Sequence, residues 1–212
     1  MAISLVGNGG TVAEVDGTIF RALKVTTRPP EYGAGGYFRM AISGTTAAAP
    51  AAAAPLMAFR WTSGTLLALV KYIEIKIQVS TASTAGLPEM SGYIARGWTA
   101  SDTGGTAVVM TGNNQKFRVG MGTSVVGDVR AATAGVLTAG GGRTLDANPI
   151  ITVNTPLALG ATDRATFDIN SAIDHPLVLG TNEGLVFSNV TALTAGIYRY
   201  TVSLGWAEVA SY

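Results

Sequence analysis

Cysteine is absent from the 212 residues. Disulfides, thiolate metal sites and thiol nucleophiles are therefore excluded, and the fold must rest on packing and hydrogen bonds. Histidine occurs once, as His175. Charge is scarce as well: Asp, Glu, Lys and Arg make up 13% of the chain, about half of the roughly 25% usual in soluble domains. The formal net charge is +1, and the basic residues are scattered. Arg21, Lys24 and Arg28 form the densest group and Lys116 with Arg118 the next, so nothing resembles a polybasic arm and direct nucleic-acid binding is not expected. Long apolar runs are missing too. The most apolar segment, 66–70, runs straight into charged alternation, far short of the ~20 residues of a membrane span. Residues 1–10 carry neither a basic start nor a sustained apolar stretch, so the expectation is no signal peptide, no membrane contact and a soluble protein made in the cytoplasm without an export signal.

What is abundant is glycine, 27 residues, close to twice the usual ~7%. Ser, Thr, Gly and Ala must cover surface that Lys and Glu normally cover. Such a surface is cheap to desolvate, because few charges lose water when another subunit arrives. The composition suits a subunit packed against copies of itself or against neighbours, although a solitary Thr/Gly-rich β-protein would share it. The length is enough to bury a core without staples.

Strand signals dominate the chain. From Lys71 to Val79, Ile73, Ile75, Ile77 and Val79 face one way and Glu74, Lys76 and Gln78 the other, the period of a half-buried strand. Near the C-terminus, Tyr198, Tyr200, Val202, Leu204 and Trp206 share a face opposite Arg199, Thr201, Ser203 and Ala207. Weaker candidates lie at 21–27, 37–43, 56–62, 93–99, 106–111, 115–120, 150–153, 165–170, 176–179 and 184–188. Glycine-rich turns separate many of them, at 7–10, 33–36, 103–105, 112–114 and 140–142. So many short strands read as a sandwich or barrel rather than βα units. Residues 89–96 or 124–132 could each hold a turn or two of helix. The Ala-rich segment 45–55, interrupted by Pro50 and Pro55, is limited to about one helical turn and reads as a semi-extended connector. It is either an internal loop or an arm to a neighbour.

Catalytic constellations do not assemble. His175 precedes Pro176, no G-x-S-x-G elbow exists, and Asp174 would point away from His175 in an extended segment. Asp163, Asp168, Asp174 and Glu183 gather in the last third but match no calcium loop, and zinc would require more histidines. The turn at 7–10 has no preceding strand and no following Lys-Ser/Thr, so it is not a phosphate loop. Asn189-Val190-Thr191 is a formal glycosylation sequon. The stripe of Tyr198, Tyr200 and Trp206 reads as core rather than as a carbohydrate platform. No catalytic, cofactor-binding or metal residue is assigned, and no enzyme activity is expected.

Several stretches resemble a family of proteins of similar length encoded among the structural genes of tailed double-stranded DNA bacteriophages. They are TVAEVDGTIFRAL (11–23), TTRPP (26–30), FRWT (59–62), ARGWT (95–99), TGNNQKFR (111–118), MGTSVVGDVR (121–130), HPLVL (175–179), NEGLVF (182–187) and GWAEV (205–209). The likeness spans most of the chain and departs from the family at 45–55. It implies a virion protein of the head, of capsid decoration or minor capsid type, made in the host cytoplasm and folded as a jelly-roll-like β-sandwich with long loops and little helix. Residues 1–35 would form an N-terminal arm and first strand and residues 36–212 the sandwich, unless the two make one continuous domain. The expected partners are copies of the chain, as a trimer, and other virion proteins such as the major capsid protein. Phe20, Arg21, Arg28, Pro29, Pro30 and Tyr32 are the expected assembly contacts. The alternative is a receptor- or glycan-binding fibre module, gripping its ligand through loop 33–36 or 140–143 with Trp98 or Trp206.

Overall fold

The computed structural model describes residues 36–110, 115–117, 122–168 and 176–210. No helix forms among the described residues. They contain the strands β1 (Gly36–Thr45), β2 (Pro55–Trp61), β3 (Leu67–Thr81), β4 (Glu89–Arg96), β5 (Thr106–Ala107), β6 (Asp128–Ala131), β7 (Thr144–Leu145), β8 (Ile151–Asn154), β9 (Thr162–Asp168), β10 (Leu177–Leu179), β11 (Glu183–Asn189) and β12 (Ile197–Val209).

Two antiparallel sheets pack as a sandwich, the class expected from the sequence. The front sheet runs β1-β12-β3, and the far edge of β3 is shared by β9 and β10. The back sheet runs β5-β6-β2-β11-β4, and β7 and β8 share the far edge of β4. The first four strands alternate between the sheets. The last two then insert between earlier strands: β11 between β2 and β4, and β12 between β1 and β3.

The two clearest alternating segments are the centre of the front sheet. Ile73, Ile75, Ile77 and Val79 are buried, as are Tyr198, Tyr200, Val202, Leu204 and Trp206. The ladder between β3 and β12 shifts register twice, at Ile197/Tyr198 and at Gly205/Trp206. At the second shift Lys71 is the extra residue, since Tyr72 faces Gly205 and Val70 faces Trp206. Such a bulge exchanges the faces of every residue beyond it. Ala68 and Val70 thus join the central core, while Leu69 turns outward to pack with Ala207, Val209, Tyr37, Leu67 and Val178. The continuous apolar run at 66–70 is the sequence trace of a strand end buried on both faces.

The sheets meet through aromatic side chains. Trp206 of β12 stacks on Phe38 of β1 at 5.8 Å and receives Phe59 of β2 edge-on at 5.2 Å. Trp61 and Trp98 are also fully buried. Tyr198 and Tyr200 carry their hydroxyls into the interior, where burial pushes both phenols well above their ordinary range. The Tyr198 hydroxyl donates to Asn189 Oδ1 at 2.9 Å. That of Tyr200 lies 2.8 Å from the Leu56 carbonyl and 2.7 Å from that of Ala132. Gly44 makes room for it, since a Cβ there would sit 2.2 Å from the Ala132 carbonyl.

Several local expectations are corrected. Residues 89–96 form β4, not helix, because β11 and β8 offer ladders to it. Within 124–132, residues 128–131 form β6, drawn into strand by β2 and β5. Tertiary pairing decides the conformation where local pattern is weak. The Ala/Pro segment is an internal connection. Asn189 Nδ2 donates to the carbonyls of Ala51 at 2.8 Å and Thr191 at 2.7 Å, and Ala49 and Ala53 turn through positive φ of 52° and 56°. Asn189 is itself fully buried, so the formal sequon is closed to modification in the folded chain. The candidate strand at 21–27 lies outside the described residues.

The Tyr200 hydroxyl gives a direct test. Tyr200→Phe leaves the Ala132 carbonyl without its side-chain donor, and urea unfolding is expected to register a loss of about 1–3 kcal/mol. Gly44→Ala is expected to lose more, because the backbone must move to admit the methyl group.

Candidate interaction surface

The assembly contacts expected from the sequence, Phe20, Arg21, Arg28, Pro29, Pro30 and Tyr32, lie outside the described residues, as does His175. Among the described residues no three of His, Asp and Glu converge. Asp163 and Glu183 are engaged locally. The former accepts the Arg164 backbone N–H at 2.7 Å. The latter accepts from Arg96 at 2.7 Å and from the Gly180 N–H at 2.8 Å.

Of the glycan contacts considered from the sequence, the two tryptophans are built into the interior, and residues 33–35 of loop 33–36 lie outside the described residues. Trp98 and Trp206 are each 0% exposed and offer no face to a sugar. The turn at 140–143 is locked to the segment 98–103. Asp102, fully buried, pairs with Arg143 and accepts the Gly140 N–H at 2.7 Å. The Arg143 guanidinium lies 5.0 Å above the Trp98 ring. Arg60 donates to the carbonyls of Trp98 at 2.9 Å and Thr99 at 3.0 Å. A Cβ at Gly140 would meet the Ala100 carbonyl at 1.9 Å, so the close approach requires glycine. Arg143 thus holds two loops together rather than presenting a binding group.

A second buried carboxylate fastens the opposite flank. Glu208, 1% exposed, accepts the Ser124 hydroxyl at 2.5 Å, the Val125 N–H at 3.2 Å to each oxygen, and the Trp206 indole N–H at 3.3 Å. Burial pushes its pKa up, against the opposing pull of Ser124, Val125 and Trp206.

The outer face of the front sheet is open to solvent, and its make-up follows from strand register. Four residues stand abreast in each rank across β1, β12, β3 and β9: Thr45, Arg199, Gln78 and Thr162; then Ser43, Thr201, Lys76 and Arg164; then Ala41, Ser203, Glu74 and Thr166; then Arg39, Gly205, Tyr72 and Asp168. The first two ranks line a cavity of about 840 Å³. Its hydroxyls are ordered, with Ser43 and Thr201 2.7 Å apart. The last two ranks open into a groove of about 590 Å³ walled by Tyr37, Tyr72 and Phe117. Tyr37 and Phe117 pack at 4.7 Å, and the Arg39 guanidinium lies 5.1 Å from the Phe117 ring. Gly205 forms the floor, since a Cβ there would press on the Tyr37 hydroxyl at 2.8 Å.

Glu74 sits between the two ends. Burial pushes its carboxyl up, but Lys76 at 3.0 Å and the Tyr72 hydroxyl outweigh burial and hold it below the ordinary range. Burial, reinforced by Glu74, raises the Tyr72 phenol. Sequence reading singled out none of these residues as a site. The available signal was the polar half of each alternation, Glu74-Lys76-Gln78 and Arg199-Thr201-Ser203, which becomes one surface only when β3 and β12 pair.

No protein-family model matches the chain, and no curated protein matches it.

Two outcomes follow from the buried carboxylates. Asp102→Ala strands the Arg143 guanidinium in the interior, and chemical denaturation is expected to show a loss of about 3–5 kcal/mol. Glu208 binds its proton more tightly folded than unfolded, so its ionisation opposes folding. Stability should rise as pH falls through its raised pKa and level off below the ordinary 4.5. Comparing Glu208→Gln with the parent between neutral pH and pH ~4.5 checks the sign: the stability of the variant relative to the parent should decline as pH falls.

Proposed function

We propose that this chain is a structural component of a bacteriophage virion, a capsid decoration or minor capsid protein that works through subunit contacts. The observation that carries the reading is the kind of surface the sandwich presents. Its large charged side chains are few, several serve inside the fold, and apolar side chains stand in their place. Val109 is 66% exposed, Leu159 70% and Phe117 56%. Of the seven large apolar residues exposed among the described residues, five fall between Val109 and Leu145. A surface of this kind loses little on desolvation and gains from burial.

The order of strands supports the jelly-roll reading. The support is that β12 lies beside β1 in front and β11 beside β2 behind, so late strands return to pair with early ones in both sheets. The phage-family likeness of segments such as 205–209 and 182–187 adds to it. The expected assembly is a homo-oligomer, a trimer, seated on the major capsid protein, with residues 1–35 reaching a neighbour. Contacts poor in charge hold at high ionic strength, where screening weakens exposed ion pairs.

Light scattering on the recombinant chain is expected to give three times the 21.7 kDa of one protomer, unchanged in about 1 M salt. In purified particles the protein should appear at fixed stoichiometry, and deletion of residues 1–30 should abolish its incorporation. A monomer absent from particles would overturn the proposal.

A further inference from the structure

We propose that the outer face of the front sheet is a binding site for an acidic oligosaccharide, a chain of sugars bearing carboxylate or sulfate groups. This is a second role, independent of the assembly contacts above.

The first ground is a charge arrangement that stability alone does not favour. Lys76 and Arg164 stand directly opposite each other on β3 and β9, and like charges so placed repel across the ladder. Arg199 faces Gln78 one rank along and adds a third cation. Glu74 answers Lys76. Among the described residues, the guanidinium groups of Arg164 and Arg199 take part in no ion pair. In a chain with only 14 Lys and Arg, three line one cavity against a single carboxylate, Asp163, which is turned to the Arg164 backbone N–H, and this excess of cations favours an anion there. Guanidinium groups match the planar oxygens of carboxylate and sulfate in paired hydrogen bonds.

The second ground is what lies beside the cations. Ser43, Thr45, Thr201, Thr162 and Gln78 present hydroxyl and amide groups along the same floor, able to donate and to accept as sugar hydroxyls require. Further along the strands the floor drops to Ala41, Ser203 and Gly205, then meets the Tyr72 and Phe117 rings. The ranks are roughly 7 Å apart, two residues of an extended strand. The face therefore offers a cationic end, a middle where Glu74, neutralised by Lys76, stands among small side chains, and an aromatic end flanked by Arg39 and Asp168. A flexible acidic peptide would use the cations but not the length of hydroxyl floor. Nucleic acid would need a broader basic surface than this one.

Titration calorimetry of the full chain tests the assignment. The probes are a heparin-derived hexasaccharide for sulfate and an oligogalacturonate for carboxylate, with a neutral dextran oligomer, polyglutamate and an oligothymidylate as comparisons. One or both acidic saccharides should bind, with affinity falling as salt rises, and the neutral oligomer should not. Arg199→Ala and Arg164→Ala should each weaken binding about tenfold, one charge-assisted contact. Phe117→Ala should weaken it as well, and Arg130→Ala, on the back sheet, should not. Two results would overturn the proposal: no binding by either acidic saccharide, or equal binding of polyglutamate or oligothymidylate through the same two arginines. Arg164 and Arg199 are exposed, and thermal unfolding of each variant separates loss of a contact from loss of the fold.

Discussion

The pairing of β12 with β3 is the contact on which the rest of the molecule depends. Over thirteen residues, β12 closes a ladder with β3 on one side and with β1 on the other. Its inner face supplies Tyr198, Tyr200 and Trp206, three of the largest fully buried side chains. Its outer face supplies Arg199, Thr201 and Ser203 to the trough formed by the cavity and groove of the front sheet. Period-two geometry lets one strand build the core and the surface at once. The bulge at Lys71 then adjusts which residues do which, and the front sheet acquires an apolar patch at one end while keeping polar ranks at the other.

The few charges are placed with corresponding economy. Asp102 with Arg143, and Glu208 with the Ser124 hydroxyl and the Val125 N–H, are buried latches that fix long loops where no strand ladder can reach. Arg96 bridges Asp146 and Glu183, tying β4 to the residue after β7 and to the start of β11. Buried ions seldom add net stability over apolar packing, but they do select one loop arrangement. In a protein whose loops are rich in Gly, Ser and Thr, apolar packing has little to work with, and directional hydrogen bonds to carboxylates supply the specificity instead.

Physical signal strength explains what was legible in the residues. The strands at 71–79 and 198–206 were legible because each buries one face, and the all-β sandwich followed from the turn spacing. β4 was legible only in its second half, within the candidate at 93–99, because its first half carries both Met90 and Ser91 into the interior and its alternation is blurred. The latches were opaque because Asp102 and Arg143 are brought together by chain closure, not by any local pattern. The trough was half visible: each polar stripe could be read along its strand, but their juxtaposition required the register. The expected contacts from Phe20 to Tyr32 fall outside the described residues.

The position of β12 bears on how the chain can fold during synthesis. Gly36 aligns with Glu208, and Thr45 with Arg199. The earliest described strand therefore waits for the last before it gains its ladder partner. Until residue 209 leaves the ribosome, β1 and β3 lack the strand that separates them, and their apolar faces stay open to other chains. Closure across so long a stretch of sequence is slow compared with local pairing. The charges that alternate along the solvent side of β3, Glu74 and Lys76, guard that strand against pairing with other chains until β12 arrives.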